Sequence, residues 1–138
     1  MTGALLCAQA AYPAMREAGR GKIITVSSVM VELSSERGLH YVTSKAPLIG
    51  FTRALACDVG RDGICVNSVM PSSIQTESEE ELFPGQSRST AKEQGARQSI
   101  PRRGVADDLV GAFVYLGTQE SDFVTGQVLL VDGGWIHR

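Results

Sequence analysis

Tyr41 and Lys45 stand four residues apart in "HYVTSK", a spacing that sets two side chains on one face of a helix. A tyrosine hydroxyl titrates near ~10 and exchanges protons poorly at neutral pH. An ammonium group one turn away stabilises the phenolate and lowers that value. A phenol tuned in this way can pass a proton to or from an alcohol or carbonyl oxygen. A serine hydroxyl beside it can hold the same oxygen by a hydrogen bond, and Ser27 and Ser28 close the nearby run "KIITVSS". Such a Tyr–Lys pair arises by composition in roughly one chain in five. Serines at a strand end commonly do no more than satisfy backbone groups. The pair therefore needs support from the elements that carry it.

Residues 2–18 show apolar groups at Leu5, Ala8, Tyr12 and Met15, a helical period. Pro13 weakens that helix and Gly19 and Gly21 close it. "KIITVSS" reads as a short buried strand with a polar exit, and residues 29–39 as a loop. A second helix fits His40 to about Val59, with Pro47 an awkward member. "GICVNSV" is a second strand with Ile64, Val66 and Val69 as its apolar positions, and "MPSSIQT" is its exit. In it, Asn67 is a turn or ladder-bonding residue. Residues 77–100 are acidic, then polar and Gly-punctuated, and read as a mobile surface segment with one short helix. A third helix spans "IPRRGVADDLVGAFVYLGTQES", with Asp107 and Asp108 near its positive end, and "TGQVLLVDGGW" is a last strand. Alternation of this kind predicts an α/β domain with a parallel sheet. Ligands of such sheets bind at the carboxyl ends of the strands. Ser27–Ser28 and Pro71–Ser72–Ser73 lie at two such exits, and Tyr41 and Lys45 open the helix after the first.

A net charge of −2 and no basic cluster beyond Arg102–Arg103 give no footprint for nucleic acid. No run of eighteen apolar residues exists, and no basic stretch precedes Leu5 as a secretory signal would require. The three cysteines, Cys7, Cys57 and Cys65, lack metal-ligand spacing, and His40 and His137 have no ligand or triad partner in sequence. The expectation is a cytoplasmic protein with no metal and no membrane span.

"GKIITVSSV", "YVTSK", "GFTRALACDVG", "GICVNSVMPSSIQT" and "VTGQVLLVDGGW" together resemble the short-chain dehydrogenase/reductase family in order and spacing, across essentially the whole chain. Ser28 precedes Tyr41 by thirteen residues, the family's usual separation between its catalytic serine and tyrosine, which selects Ser28 over Ser27. The resemblance implies an NAD- or NADP-dependent oxidoreductase that interconverts a secondary alcohol and a ketone. Tyr41 would be the acid–base group. Lys45 would lower its pKa and bind the nicotinamide ribose, and Ser28 would hold the substrate oxygen. Pro71, Ser72, Ile74 and Thr76 would lie around the nicotinamide, with Ile74 and Thr76 at its carboxamide. Residues 77–100 would form the substrate lid. The helices at 2–18 and 40–59, with the edge of the last strand, would build a homo-oligomer, a dimer or tetramer.

Two departures concern single residues: Ser72 stands where the family usually has glycine, and Pro47 where its helix has a small residue. A larger one concerns the glycine-rich dinucleotide fingerprint, which is absent. Met1 aligns inside the helix after the family's fourth strand, beyond its catalytic asparagine. The expected fold is a single partial Rossmann-like domain over residues 1–138, the last three strands and flanking helices of a doubly wound parallel sheet. Two functions are open at this point: a truncated dehydrogenase with little activity alone, or a non-catalytic oligomerising fragment of one.

Overall fold

The computed structural model describes residues 1–34, 38–76, 81 and 92–137. Helix α1 (Thr2–Glu17) contains Pro13, and Arg16 sits in its last turn. Strand β1 (Gly21–Val26) follows, then a four-residue helix α2 (Met30–Leu33) and the long helix α3 (Leu39–Val59). Strand β2 (Ile64–Pro71) is buried at every position. Two-residue strands β3 (Ile74–Gln75) and β4 (Gly104–Val105) pair with each other. Helix α4 (Asp107–Gly117) and strand β5 (Val128–Val131) complete the described order. No helix among the described residues is long and apolar enough to cross a membrane.

The main sheet has the order β1-β2-β5, with both pairs parallel. Successive strand side chains alternate between faces, and the sheet is covered on both. Ile23 packs with Leu55, Ala56 and Val59 of α3, Tyr12 and Met15 of α1, and Ile64 and Val66 of β2. On the same face the Thr25 and Thr52 hydroxyls share a hydrogen bond of 2.8 Å. Lys22, one position away from Ile23, points oppositely and donates to Ser121 Oγ and the Asp122 carboxylate beyond α4. Helices on both faces explain why β2 is buried throughout and mostly apolar, with only Asn67 and Ser68 as polar side chains. The expected Rossmann-like arrangement of the last three strands is the one observed.

Gly63, at φ +74°, joins α3 to β2, and a Cβ there would collide with the Gly19 carbonyl oxygen. That approach starts the β1–β2 register, since Gly21 N donates to Gly63 O. Pro47 forfeits one backbone bond inside α3. The helix persists because Thr52, Ala56 and Val59 bury its far half.

Four expected boundaries differ. β1 ends at Val26, although pairing continues through Ser27 N to Val69 O and Val29 N to Pro71 O. The segment 29–39 is not all loop, because Ser28 Oγ accepts from Met30 N and starts α2. β2 runs on to Pro71, and the expected exit contains β3. The third helix begins at Asp107 rather than near Ile100, because Ile100 N is taken by Gly133 O and Gly104–Val105 pairs with β3. Of the segment 77–100, residues 77–80 and 82–91 lie outside the described residues.

Candidate active site

One cavity of about 700 Å³ opens at the carboxyl ends of β1 and β2. Ser28, Tyr41 and Lys45 line it from one side, and Pro71, Ser72, Ile74 and Thr76 from the other. All seven residues singled out in sequence thus face a common space. Gln94, Arg103 and Trp135 line it as well, and no sequence pattern had pointed to them.

Ser27 and Ser28 are both buried, but they do different work. Ser27 Oγ donates to the Lys45 carbonyl at 3.3 Å and ties the first turns of α3 to the end of β1. Ser28 Oγ accepts from Met30 N at 3.3 Å. Its proton is therefore not consumed by that bond, and a hydroxyl can donate while it accepts.

Tyr41 is 42% exposed, and the Lys45 ammonium lies 5.9 Å from its ring centroid, within the range of a cation–π contact. Lys45 Nζ donates to the Val26 carbonyl at 3.1 Å. The lysine therefore bridges from α3 to the last residue of β1, over the same strand end as Ser28.

The opposite wall is fixed by contacts distant in sequence. Arg103, only 7% exposed, donates from Nε to Ser73 O and from Nη2 to Ser73 Oγ and Ile74 O. A buried guanidinium thus clamps the turn between β2 and β3. Gly104 lies beside it, where a Cβ would come within 2.7 Å of Ile74 Cδ1 and turn that side chain aside. Ser72, the departure from the family's glycine, accepts from Gln98 Nε2 at 3.2 Å, so its hydroxyl is bound within the protein. Gln98 is itself buried.

Arg102 turns outward and grips Asp108 through two bonds of 2.6 Å, and Asp108 also accepts from Val105 N. The Arg102 hydrogen bonds, then the Val105 amide, hold the Asp108 carboxyl well below the usual carboxylate range. A depressed folded pKa stabilises the fold above the unfolded value near ~4. That contribution disappears as pH falls toward the folded value. In urea titrations, wild type should exceed Asp108→Asn at pH 6, and the gap should close steadily between about pH 4 and pH 2. A gap that widens on acidification would refute this account.

The family model described as Enoyl-(Acyl carrier protein) reductase matches residues 1–136. A protein of Rhizobium meliloti named probable galactose dehydrogenase is 39% identical over 126 residues, 91% of this chain and 48% of its own length. The L-rhamnose 1-dehydrogenase (NAD(P)(+)) of Azotobacter vinelandii is 37% identical over 136 residues, 97% of this chain and 52% of that protein. Among solved structures, gluconate 5-dehydrogenase from Burkholderia cenocepacia, in complex with NADP and tartrate, superposes with a TM-score of 0.89 at 33% identity. It matches 98% of this chain but 52% of its own. The chain spans about half the length of the relatives it matches. On this match of fold and sequence, the chain belongs to the short-chain dehydrogenase/reductase family of oxidoreductases acting on CH–OH groups.

Proposed function

We propose that this chain is the acid–base half of an NAD(P)-dependent dehydrogenase/reductase that interconverts a secondary alcohol and a ketone, with little or no turnover on its own. The convergence of Ser28, Tyr41 and Lys45 on the cavity bounded by Pro71–Thr76 carries this reading. The cavity offers hydroxyl and ammonium groups on one wall and the apolar Ile74 on the other, which fits the nicotinamide end of the cofactor. The nicotinamide, when bound, accepts or supplies the hydride.

The chain's own part is the proton. Tyr41 Oη takes it from the alcohol oxygen, or returns it to the carbonyl oxygen. Ser28 Oγ donates to that same oxygen and holds it in place. Lys45 Nζ reaches the ribose, with Tyr41 also beside the cofactor. Pro71, Ser72, Ile74 and Thr76 hold the nicotinamide, and the substrate is a small alcohol or ketone. NAD and NADP are equally compatible with these residues. The free cysteines suit a reducing, cytoplasmic setting.

A purified sample assayed with NAD and NADP against galactose, L-rhamnose and gluconate should show no turnover above background. A fusion to the portion of the Azotobacter vinelandii relative that this chain does not cover should turn over. Robust activity of the chain alone would overturn the half-site reading, and a folded but inactive fusion would overturn the catalytic one. Exposed Leu5 and Leu6 on α1 and Val110 and Val114 on α4 favour a second reading, a non-catalytic homo-oligomerising fragment. A stable dimer or tetramer that binds neither nucleotide would support it.

A further inference from the structure

A second cavity, of about 350 Å³, adjoins the one at the strand ends, and Met30, Gln94 and Trp135 line both. Ser28 and Tyr41 belong to the first cavity alone, Glu93 and Arg97 to the second alone. A molecule extending from one into the other therefore passes Gln94 and Trp135. Gln94 lies in a helical stretch at residues 92–95. Its Oε1 is buried and has no hydrogen-bond partner among the described residues. Buried polar atoms are nearly always paired. An amide oxygen accepts and cannot donate, so a ligand that displaces water from it must bring a donor of its own.

Trp135, the only tryptophan of the chain, stands on a fixed turn. Buried Asp132 accepts from Gly134 N at 2.9 Å and from Ile136 N at 2.8 Å, the amides on either side of the indole. Gly134 O in turn accepts from Ser99 N, which ties the turn to the segment after Gln94. An indole face is broad, apolar and electron-rich, and it attracts hydrogens that carry partial positive charge. The C–H groups of hydroxylated carbons carry such charge. A molecule with a hydroxyl on successive carbons thus suits both residues. A plain alkyl or acyl chain would cover Gln94 Oε1 and leave it unsatisfied. Glu93 and Arg97 add one charge of each sign to the second cavity, a polar lining without a net field.

We propose that Gln94 is a specificity-determining residue and that the joined cavities take a polyhydroxylated secondary alcohol or its ketone. The reacting carbon sits at Ser28 and Tyr41, a further hydroxyl donates to Gln94 Oε1, and a C–H face lies on Trp135. The placement of the reacting carbon rests on the catalytic reading given above. The contacts of Gln94 and Trp135 are binding contacts and are tested without turnover.

The test titrates the fluorescence of Trp135 in the 138-residue chain with myo-inositol and with cyclohexanol. Both probes are secondary alcohols on the same carbocycle, and only myo-inositol carries further hydroxyls. No second tryptophan contributes, so a saturable change in emission reports on this cavity. Myo-inositol is expected to bind at least about tenfold more tightly than cyclohexanol. Gln94→Met keeps the length of the side chain and removes the acceptor. It should weaken myo-inositol at least about tenfold and alter cyclohexanol by less than about twofold. Gln94→Glu keeps an acceptor at this place and should restore binding of myo-inositol. If the methionine variant does not fold, the ratio of the two probes in wild type decides. Equal affinities, tighter cyclohexanol, no saturable change with either probe, or undiminished myo-inositol binding in Gln94→Met would each overturn the proposal. Failure of myo-inositol to bind, with the fusion still turning over cyclohexanol, would sink this inference and leave the catalytic reading standing. Tight, Gln94-dependent binding without turnover by the fusion would count against the catalytic reading alone.

Discussion

Tyr41→Phe is expected to lower turnover of the completed enzyme by about 10²- to 10⁴-fold, the range that a positioned general acid–base group contributes. The substitution removes one oxygen and leaves the ring, so the 5.9 Å contact with the Lys45 ammonium survives. Tyr41 is 42% exposed and no packing is lost. The effect should therefore fall on kcat while the KM for cofactor changes little, because the ribose contact proposed for Lys45 would remain. The measurement is steady-state kinetics of the fusion described above, with cofactor and alcohol varied independently. A phenylalanine variant within threefold of wild type would remove Tyr41 from the chemistry. It would also leave Ser28 and Lys45 as structural residues that bond Met30 N and Val26 O.

The largest effect on stability should come from Asn67, which lies on β2 and is almost completely buried. Its Nδ2 donates to Val124 O at 2.8 Å, and its Oδ1 accepts from Gln127 N at 3.0 Å. These two bonds pin the approach to β5 against β2, whose own ladder begins at Ser68↔Val128. Asn67→Ala leaves a carbonyl and an amide without partners and also opens a small void. Both bonds are part-buried, so at about 1 kcal/mol for each lost bond, with the void added, the loss is about 2–3 kcal/mol. That is a large part of the stability of a domain this size. Urea unfolding of the isolated chain provides the measurement. Asn67→Asp keeps the acceptor for Gln127 but sets a buried carboxylate against the Val124 carbonyl, so its midpoint should fall well below that of wild type. A loss below 0.5 kcal/mol for the alanine variant, on the scale of ordinary surface changes, would show that this bridge is dispensable.

The parts of the site that were legible in sequence are those written in local pattern. Tyr41 and Lys45 share a helix, Ser28 closes a β-branched run, and Pro71 to Thr76 follow a second run; the fold then carries each to the same strand ends. Asn67 was narrowed to a turn or ladder role, and the bridge to Val124 and Gln127 is of the second kind. What escaped is the wall held by long-range bonds. Arg103 reaches Ser73 across thirty residues and Gln98 reaches Ser72 across twenty-six; no periodicity records such a partnership. β3 and β4 have two residues each, too few to display the alternation that marks a strand. For the same reason the pattern from Ile100 onward reads as one helix, because nothing local separates the β4 pair from α4. α2 was missed because it depends on one side-chain bond, from Met30 N to Ser28 Oγ.

The bond between Gln98 and Ser72 couples two positions twenty-six residues apart energetically. Gln98 Oε1 is buried without a hydrogen-bond partner among the described residues, so Ser72 Oγ is what keeps the amide from being wholly unsatisfied. Restoring the family's usual glycine at position 72 would abandon that amide in a buried setting. Substitutions at positions 72 and 98 should therefore be non-additive, because each alone leaves the other residue without its partner.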